Sequence, residues 1–323
     1  MILILKPTSA CNFCCSFCSA KELKVKYAKK HVPQKIKDLI KKLNPDWMSI
    51  TGGDPLMLDP EYYFEILETL GPGKEIALTT NLKAFYENPD KWTPLFKHPD
   101  VTICTSFQYG TGRLWDKNTP YTKDMFRKVM TLFKEKVGIM PQFIAVITNE
   151  NYNQALDHLK LAKELNTACR LNRVLPVGGA VNEVLPYAKM IDLYYEVKNS
   201  DLINYYADLD SNQFGSCNIN TNLLCENTIR TAWLKEDGEV EYGRCEDLLP
   251  SGMTKRDVNE PTLSQLPASL DPSTFINEKC ISCELCRLCN ACEANRYCNK
   301  KDPNHCEEML KRMDKIKSLG WLL

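Results

Sequence analysis

The sequence of 323 residues lacks an excess of charge, a long apolar run and any low-complexity tract. Its 41 lysines and arginines equal its 41 aspartates and glutamates, whereas a nucleic-acid binder needs a basic excess to neutralise phosphates. No apolar run approaches the roughly 20 residues of a membrane span, and the apolar opening, residues 1–5, is too short for a secretory signal. We therefore predict a cytoplasmic protein with neither a nucleic acid nor a membrane as its partner.

Cysteine, in contrast, is abundant, with 16 residues against only four histidines. Four cysteines lie between residues 11 and 18, and ten lie between 217 and 306. A secreted disulfide framework is one explanation of an even number. The missing secretory signal, the length of the chain and the repeated two-residue gaps argue against it, because such gaps suit several thiolates that meet at one metal centre. The composition therefore predicts a reduced, intracellular metalloprotein.

Residues 1–200 alternate between short apolar runs and amphipathic stretches. Residues 34–43, for example, carry apolar side chains at i, i+3, i+4 and i+7, as a helix with one buried face does. Strands separated by such helices indicate a parallel sheet. The predicted fold class is α/β, a partial (β/α)6 TIM-like barrel over residues 1–200 with a cysteine-rich C-terminal domain over residues 201–323. The predicted strands are 2–5, 47–51, 76–80, 101–106, 143–148 and 170–175, and the predicted helices are 34–43, 61–70, 123–135, 154–165 and 307–319.

Cys11, Cys15 and Cys18 form a C-x3-C-x2-C motif just after the first predicted strand. Three thiolates can hold three irons of a four-iron, four-sulfur cluster and leave the fourth iron to a ligand from outside. A zinc site with a distant fourth ligand is the alternative. Cys14 is not expected to be a ligand, because its side chain and that of its neighbour Cys15 point in different directions. Phe17, an aromatic residue, immediately precedes the last cysteine.

This motif, with an aromatic residue before its last cysteine, resembles the signature of the radical SAM superfamily. Four later segments, each after a predicted strand, resemble that family's binding site for S-adenosylmethionine; they are residues 51–55, 79–81, 105–108 and 174–179. The sequence departs from the family pattern at Asp54, where glutamate is usual, and at Leu82, where the family has glycine. The resemblance implies that S-adenosylmethionine is bound by Phe17, Gly52, Gly53, Asp54, Thr80, Asn81, Ser106, Gln108 and Val177.

The resemblance also implies a chemistry. The open iron of the cluster binds the amino and carboxyl groups of S-adenosylmethionine. Reduction of the cluster cleaves a carbon–sulfur bond and yields a 5′-deoxyadenosyl radical, which removes a hydrogen atom from an unactivated C–H bond. The protein orients the substrate and excludes water. A reductant such as flavodoxin or ferredoxin is implied as a partner.

The cysteines of the second part resemble the SPASM extension of radical SAM enzymes, an iron–sulfur domain with two auxiliary four-iron clusters. Within it, Asp237-Gly238 lies between two alternating segments and predicts a hairpin. With the amino-terminal cluster, the resemblance implies three [4Fe-4S] clusters in total. It implies that Cys217, Cys225, Cys245 and Cys292 hold the first auxiliary cluster, and that Cys280, Cys283, Cys289 and Cys306 hold the second.

Alternatives remain for these last cysteines. Cys286 and Cys298 are spare in the preferred assignment, whereas a register shifted by three residues, in which both become ligands, is a serious rival. Two zinc ribbons are a further alternative, since C-x2-C pairs bind zinc too. A spare thiol, including Cys104 or Cys169, could also donate a hydrogen atom to a substrate radical, although the role of a small buried side chain suits the last two better.

Enzymes that resemble this chain mostly modify ribosomally made peptides or a protein side chain. We predict a radical SAM enzyme that abstracts a hydrogen atom from such a substrate and forms a crosslink or another oxidised product. Peptide epimerisation and dehydrogenation of a small alcohol or amino sugar are alternative reactions, and a zinc or iron–sulfur scaffold is the non-enzymatic alternative. Because the cluster motif begins at Cys11, we expect either a separate leader-binding protein to present the peptide or the barrel to bind it directly.

A few polar residues outside these motifs are also candidates for a role. Arg113, Trp115 and Asp116 follow the fourth predicted strand and could face the substrate. No catalytic side chain is predicted beyond the cofactor ligands. The histidines make no metal-ligand spacing and are expected at the surface or as capping residues, with the one beside Cys306 a candidate neighbour of a cluster; they are His31, His98, His158 and His305.

Overall fold

The computed structural model describes residues 2–18, 31–176, 178–180, 182–207, 229–234, 240–243, 276–289 and 298–320. Its described strands form one eight-stranded sheet. They are β1 (Ile2–Lys6), β2 (Trp47–Ile50), β3 (Glu75–Thr79), β4 (Val101–Ser106), β5 (Gln142–Ile147), β6 (Cys169–Arg173), β7 (Ile229–Leu234) and β8 (Val240–Gly243). The described helices are α1 (Gln34–Leu43), α2 (Pro60–Leu70), α3 (Lys83–Glu87), α4 (Pro89–Phe96), α5 (Lys123–Val137), α6 (Ala155–Leu165), α7 (Tyr187–Lys198), α8 (Cys286–Cys289), α9 (His305–Leu310) and α10 (Met313–Ser318).

The strands follow the order β6-β5-β4-β3-β2-β1-β7-β8 across the sheet. Strands β1 to β6 pair in parallel, which confirms the predicted α/β partial barrel. β7 adds a parallel strand beside β1, and β8 pairs antiparallel with β7 in the register Leu234↔Val240. The predicted hairpin strands therefore exist, and they extend the sheet of the first part. Its predicted turn at Asp237-Gly238 lies outside the described residues.

The structure has helices that were not predicted, among them α3, α4, α7 and α8. Two of the differences from the predicted helices have simple physical reasons. α7 was not predicted, because seven of its twelve residues are buried and no narrow apolar stripe marks it. The predicted helix over 307–319 is the pair α9 and α10, since Arg312 between them leaves the helical region at φ −108° and ψ 15°. Within the described residues, no helix combines the length and apolarity needed to cross a membrane.

Alternation along the strands separates a packed face from an open one. In β4, the side chains of Val101, Ile103 and Thr105 are buried, whereas the side chains between them are not. Residues on a strand point alternately to opposite faces, so Cys104 and Ser106 share the less buried face. Ser106 is the last residue of β4. Sites in sheets of this type form at the carboxyl ends of the parallel strands.

Candidate cofactor site

The loop of residues 7–18 leaves the carboxyl end of β1 and carries the first cysteine motif. The backbone N–H of Cys14 donates to the carbonyl of Leu114 at 3.1 Å, and that of Ser16 donates to Gly112 at 2.8 Å. On the other side, the N–H of Gly179 donates to the carbonyl of Cys18 at 2.9 Å. Backbone bonds to the segments after β4 and β6 thus hold the loop in place.

Gly52 and Gly53 bring the turn after β2 into close contact with the same loop. The N–H of Gly53 donates to the carbonyl of Thr8 at 2.9 Å. A Cβ atom on Gly53 would lie 2.1 Å from the carbonyl oxygen of Ala10, and one on Gly52 would lie 2.4 Å from that of Thr8. No side chain fits at these distances, so both glycines are required for the approach of the two backbones.

Asp54 joins the turn after β2 to the turn after β3. Its buried carboxylate accepts hydrogen bonds from the Thr80 hydroxyl at 2.9 Å, the Asn81 N–H at 2.7 Å and the Leu56 N–H at 2.9 Å. Burial raises the pKa of Asp54 to about 6, and these three hydrogen bonds oppose that rise. The carboxylate therefore serves as an internal brace that fixes Thr80 and Asn81 relative to the loop.

Asn81 connects Asp54 to the loop of the first cysteine. Its side-chain amide donates to Asn12 Oδ1 at 2.8 Å and lies 3.7 Å from Cys11 Sγ. The next residue, Leu82, is buried and has φ +61°, in the left-handed region that favours glycine. The chain thus differs from the glycine-containing pattern in its side chain and keeps a backbone conformation that glycine favours.

The thiols of the loop suit a metal that enters from outside. Cys11 is exposed, Cys15 and Cys18 are partly buried, and all three are free of disulfides. Desolvation by the surrounding protein, the charge of Asp54 and the charges of Cys15 and Cys18 raise the pKa of Cys11 to about 12. Cys15 and Cys18 therefore lie close enough to Cys11 for their charges to act on it, and metal binding would release the proton of each ligand thiol.

No set of three or more His, Cys, Asp or Glu side chains is already gathered around one point in the described part of the chain. The donor set still fits an iron–sulfur cluster, because it consists of three thiols on one loop, and thiolates are the usual ligands of such clusters.

Arg113 places a buried positive charge next to the cysteine loop. Its side chain donates from Nη1 to the Ser106 hydroxyl at 2.9 Å, and its guanidinium lies 5.4 Å from the ring centre of Phe17. Its Nε has no hydrogen-bond partner, and the buried Oε1 of Gln108 has none either. A buried cation with an unused N–H is suited to bind a carboxylate. The sequence indicated Arg113 only by its place after the fourth strand.

Two of the four histidines contradict the prediction of surface or capping roles. His158 is fully buried in the core. Its Nε2 accepts from the Tyr109 N–H at 3.0 Å, and its Nδ1 lies 3.1 Å from the Ala155 carbonyl. His305 is also buried, and neither ring nitrogen has a partner. Burial is the main cause that lowers the pKa of each to about 4. Sequence alone missed this because a single histidine carries no burial signal.

The second group of described thiols lies in the C-terminal segment, defined here as residues 276–289 and 298–320. Cys289 is buried, and burial raises its pKa well above the usual range. The charges of four other thiols raise it further, those of Cys283, Cys306, Cys280 and Cys286. The backbone N–H of Asn277 donates to Cys280 Sγ at 3.4 Å, and its side-chain amide donates to Cys306 Sγ at 3.1 Å. The segment thus places four other thiols within electrostatic range of Cys289, although no three of them are gathered around one point.

The remaining predicted site residues are dispersed or lie outside the description. Cys298 is buried and lies near Arg173. Cys169 is fully buried on β6, whereas Cys104 is partly exposed on β4. The predicted ligands and contacts that fall outside the described residues are Val177, Cys217, Cys225, Cys245 and Cys292.

Comparison with known proteins places this geometry in context. Residues 5–162 match the family model of the Radical SAM superfamily. No curated protein matches the chain. A structure of Streptococcus suis SuiB bound to precursor peptide SuiA has a TM-score of 0.56 at 19% identity, over 90% of this chain and 70% of that chain. A structure of S. suis SuiB bound to S-adenosylmethionine has a TM-score of 0.53 at 20% identity, over 90% of this chain and 70% of that chain. A structure of native anSMEcpe with bound AdoMet and Cp18Cys peptide has a TM-score of 0.61 at 17% identity, over 99% of each chain. At these identities the likeness shows a shared fold.

Proposed function

On the premise that residues 5–162 form a radical SAM domain and that the chain is an enzyme of that superfamily, we propose that it removes a hydrogen atom from a peptide and yields an oxidised product, most simply a crosslink. The observation that carries this proposal is the fixed loop of Cys11, Cys15 and Cys18 beside the buried cation of Arg113. When bound there, a reduced [4Fe-4S] cluster with S-adenosylmethionine supplies the 5′-deoxyadenosyl radical.

The residues around the loop divide into ligands and braces in this proposal. Cys11, Cys15 and Cys18 hold the cluster, and Arg113 binds the carboxylate of S-adenosylmethionine, with Ser106 fixing its guanidinium at 2.9 Å. Phe17, Gly52, Gly53, Thr80, Asn81, Gln108 and Val177 remain the proposed surroundings of the cofactor. Asp54 acts indirectly, because its carboxylate oxygens are already engaged by three neighbouring groups.

The C-terminal segment is proposed to hold a further [4Fe-4S] cluster on Cys280, Cys283, Cys289 and Cys306. Support comes from the grouping of these thiols around Cys289 and from the two donors of Asn277. Cys286 belongs to the same group, so it is the alternative ligand. The other auxiliary cluster, on Cys217, Cys225, Cys245 and Cys292, remains a prediction, as does a domain boundary near residue 200.

A peptide substrate is the proposal that the solved structures favour. The SuiB structure holds a precursor peptide, and the anSMEcpe structure holds a peptide together with AdoMet. Because the fold is shared, we propose that a peptide binds to this chain too. A separate leader-binding protein and a flavodoxin or ferredoxin reductant are further proposed partners. Epimerisation of a peptide and dehydrogenation of a small alcohol or amino sugar are the alternative reactions.

The first experiment measures iron, sulfide and zinc in anaerobically prepared full-length protein, followed by 5′-deoxyadenosine formation from S-adenosylmethionine and dithionite. Three clusters correspond to about twelve irons per chain. Peptides encoded by short reading frames beside the gene are then added and analysed by mass spectrometry. A crosslink removes two hydrogen atoms, whereas epimerisation leaves the mass unchanged in H2O and adds deuterium in D2O. Stoichiometric zinc without 5′-deoxyadenosine would contradict the proposal and favour a scaffold.

A further inference from the structure

Arg173 ends β6 and points its charge toward the C-terminal segment. Its Nε donates to the carbonyl of Leu185 at 2.8 Å, and its Nη1 donates to Asn299 Oδ1 at 2.8 Å. The guanidinium also lies 5.4 Å from the ring centre of Tyr187. These three partners are neutral. The charge of Asp302 also acts on the guanidinium, but Arg173 forms no ion pair with it.

Asn299 continues this contact to a cysteine. It is fully buried, and its side-chain Nδ2 donates to the carbonyl of Cys289 at 3.0 Å. Cys289 is the residue on which the charges of Cys280, Cys283, Cys286 and Cys306 act. Two consecutive hydrogen bonds therefore connect a cation on the barrel strand to the backbone of a proposed cluster ligand.

We propose that Arg173, acting through Asn299, is a positioning residue. It holds Cys289, at the end of α8, against β6 and makes the cluster of the C-terminal segment easier to reduce. This inference rests on the cluster proposed above for Cys280, Cys283, Cys289 and Cys306. Reduction adds a negative charge to a cluster, and a nearby buried cation stabilises that charge more strongly than a solvated one does. The hydrogen bonds from Arg173 through Asn299 to Cys289 thereby link the position of β6 to the reduction potential of the proposed cluster.

A second contact of the C-terminal segment provides a matched control. Arg312 donates from Nε to Asp192 on α7 at 2.8 Å, and Lys315 donates to the same carboxylate at 2.6 Å. Arg312 thus also anchors the segment to the barrel with a cation, but its described hydrogen bonds go to Asp192 and Glu308, not to a cysteine. Replacing it removes an anchor and keeps the charge of Arg173 and its hydrogen bonds through Asn299 to Cys289.

The test uses the full-length chain with Cys11, Cys15 and Cys18 replaced by alanine, so that only C-terminal clusters remain. Midpoint potentials are measured by anaerobic redox titration followed by electron paramagnetic resonance. The transition that disappears in Cys289→Ala identifies the cluster of interest. Arg173→Met is expected to lower its midpoint potential, and Arg173→Lys is expected to restore most of the value. Arg312→Met is expected to leave it unchanged.

An unchanged potential in Arg173→Met with full iron content would overturn the inference, as would an equal shift in Arg312→Met. If Arg173→Met loses its iron, Asn299→Asp decides, because it keeps the acceptor for Arg173, neutralises the guanidinium and removes the bond to Cys289. A lower potential in that variant supports the inference, and an unchanged one overturns it. Absence of iron from the C-terminal segment of the parent chain would overturn the proposed cluster as well, and would do so before any variant is compared.

Discussion

The two described groups of cysteines hold their thiols in different ways. In the amino-terminal loop, backbone hydrogen bonds to the segments after β4 and β6 fix the chain, and Cys11 and Cys14 remain exposed. In the C-terminal segment, Cys280 and Cys289 are buried, and the side chain and backbone of Asn277 donate to sulfur atoms directly. The first group is thus anchored mainly by its backbone and is the more open one, although Cys11 Sγ also accepts from the Phe13 N–H at 3.4 Å. The second group is the more enclosed one, although its Cys306 is exposed.

This difference matches two different tasks. A centre that binds a ligand from solution needs an accessible face, and an anchored backbone with exposed thiols provides one. A centre that only exchanges electrons gains from burial, because hydrogen bonds to sulfur and exclusion of solvent set its reduction potential. The contrast therefore leads us to expect catalysis at the first group and electron transfer at the second, and each group can be removed separately.

The largest effect is expected from the open group. Cys11→Ala removes one of three cluster ligands, so it is expected to abolish 5′-deoxyadenosine formation and to remove about four irons per chain. Cys14→Ala is the matched control, because Cys14 is an exposed neighbour whose described contact is made by its backbone N–H. Iron analysis and a chromatographic assay of 5′-deoxyadenosine measure both. Equal losses in the two variants would remove the distinction between ligand and spare thiol.

The enclosed group is expected to respond in iron content without losing the first reaction. Cys289→Ala is expected to remove about four irons and to leave uncoupled cleavage of S-adenosylmethionine intact. Cys298→Ala, in contrast, is expected to keep its iron, because Cys298 is spare in the preferred assignment of the ligands and its charge acts on Arg173. Iron loss in Cys298→Ala with retention in Cys289→Ala would favour the register shifted by three residues.

Replacement of Arg113 is expected to change the affinity for S-adenosylmethionine and the melting temperature in different ways. Hydrogen bonds to charged groups contribute about 1.5–3 kcal/mol, so Arg113→Met is expected to weaken S-adenosylmethionine binding about 10- to 150-fold. The same change removes a buried cation that has no carboxylate partner among the described residues, so the melting temperature is expected to stay or to rise. Equilibrium binding and thermal unfolding of the reconstituted enzyme measure the two effects.

Arg113→Lys is the control for charge without the planar guanidinium. It keeps a cation near Ser106 but cannot form a bidentate pair with a carboxylate. We expect it to bind more tightly than Arg113→Met and more weakly than the parent chain. Unchanged affinity in Arg113→Met would contradict a role in binding the cofactor and would leave Arg113 as a buried group that only fixes Ser106.

The fold was predictable where the information is local. The stripe of Ile36, Leu39 and Ile40 predicted α1 with its buried face, and short apolar runs predicted β1 to β6. The pairing of β7 with β1 was not predictable in the same way. It joins segments more than 200 residues apart, and no local periodicity encodes which strand lies at which edge.

The site divides along the same line. The cysteine motif and the glycine pair were visible as spacings, and the structure brings their segments together. The unused Nε of Arg113 and the buried His305 were not visible, because burial and missing partners depend on contacts between distant parts of the chain. Asp54 combines the two cases. The sequence predicted it as part of the S-adenosylmethionine site, whereas its hydrogen bonds between the turns after β2 and β3 were not predicted.

Asp54 also gives the smallest effect, a pH dependence near the open group with a defined sign. Burial raises its pKa from 3.8 to about 6, so the folded state binds this proton more tightly than the unfolded state does. The contribution to stability is complete below pH 3.8 and is lost as the pH rises through about 6. Lowering the pH from 7 to 5 is therefore expected to stabilise the iron-free protein by about 1 kcal/mol through this group.

Asp54→Asn isolates this contribution, because asparagine does not titrate. Urea unfolding of both proteins at pH 5 and pH 7 gives four free energies, and the parent chain should gain about 1 kcal/mol more than the variant on acidification. His158 and His305, whose pKa values are lowered to about 4, act in the opposite direction, since their stabilising effect is lost as the pH falls below their unfolded value. They are present in both proteins and cancel in the difference. A difference of zero would mean that the three donors to Asp54 offset its burial, and the brace would then be charged throughout this range.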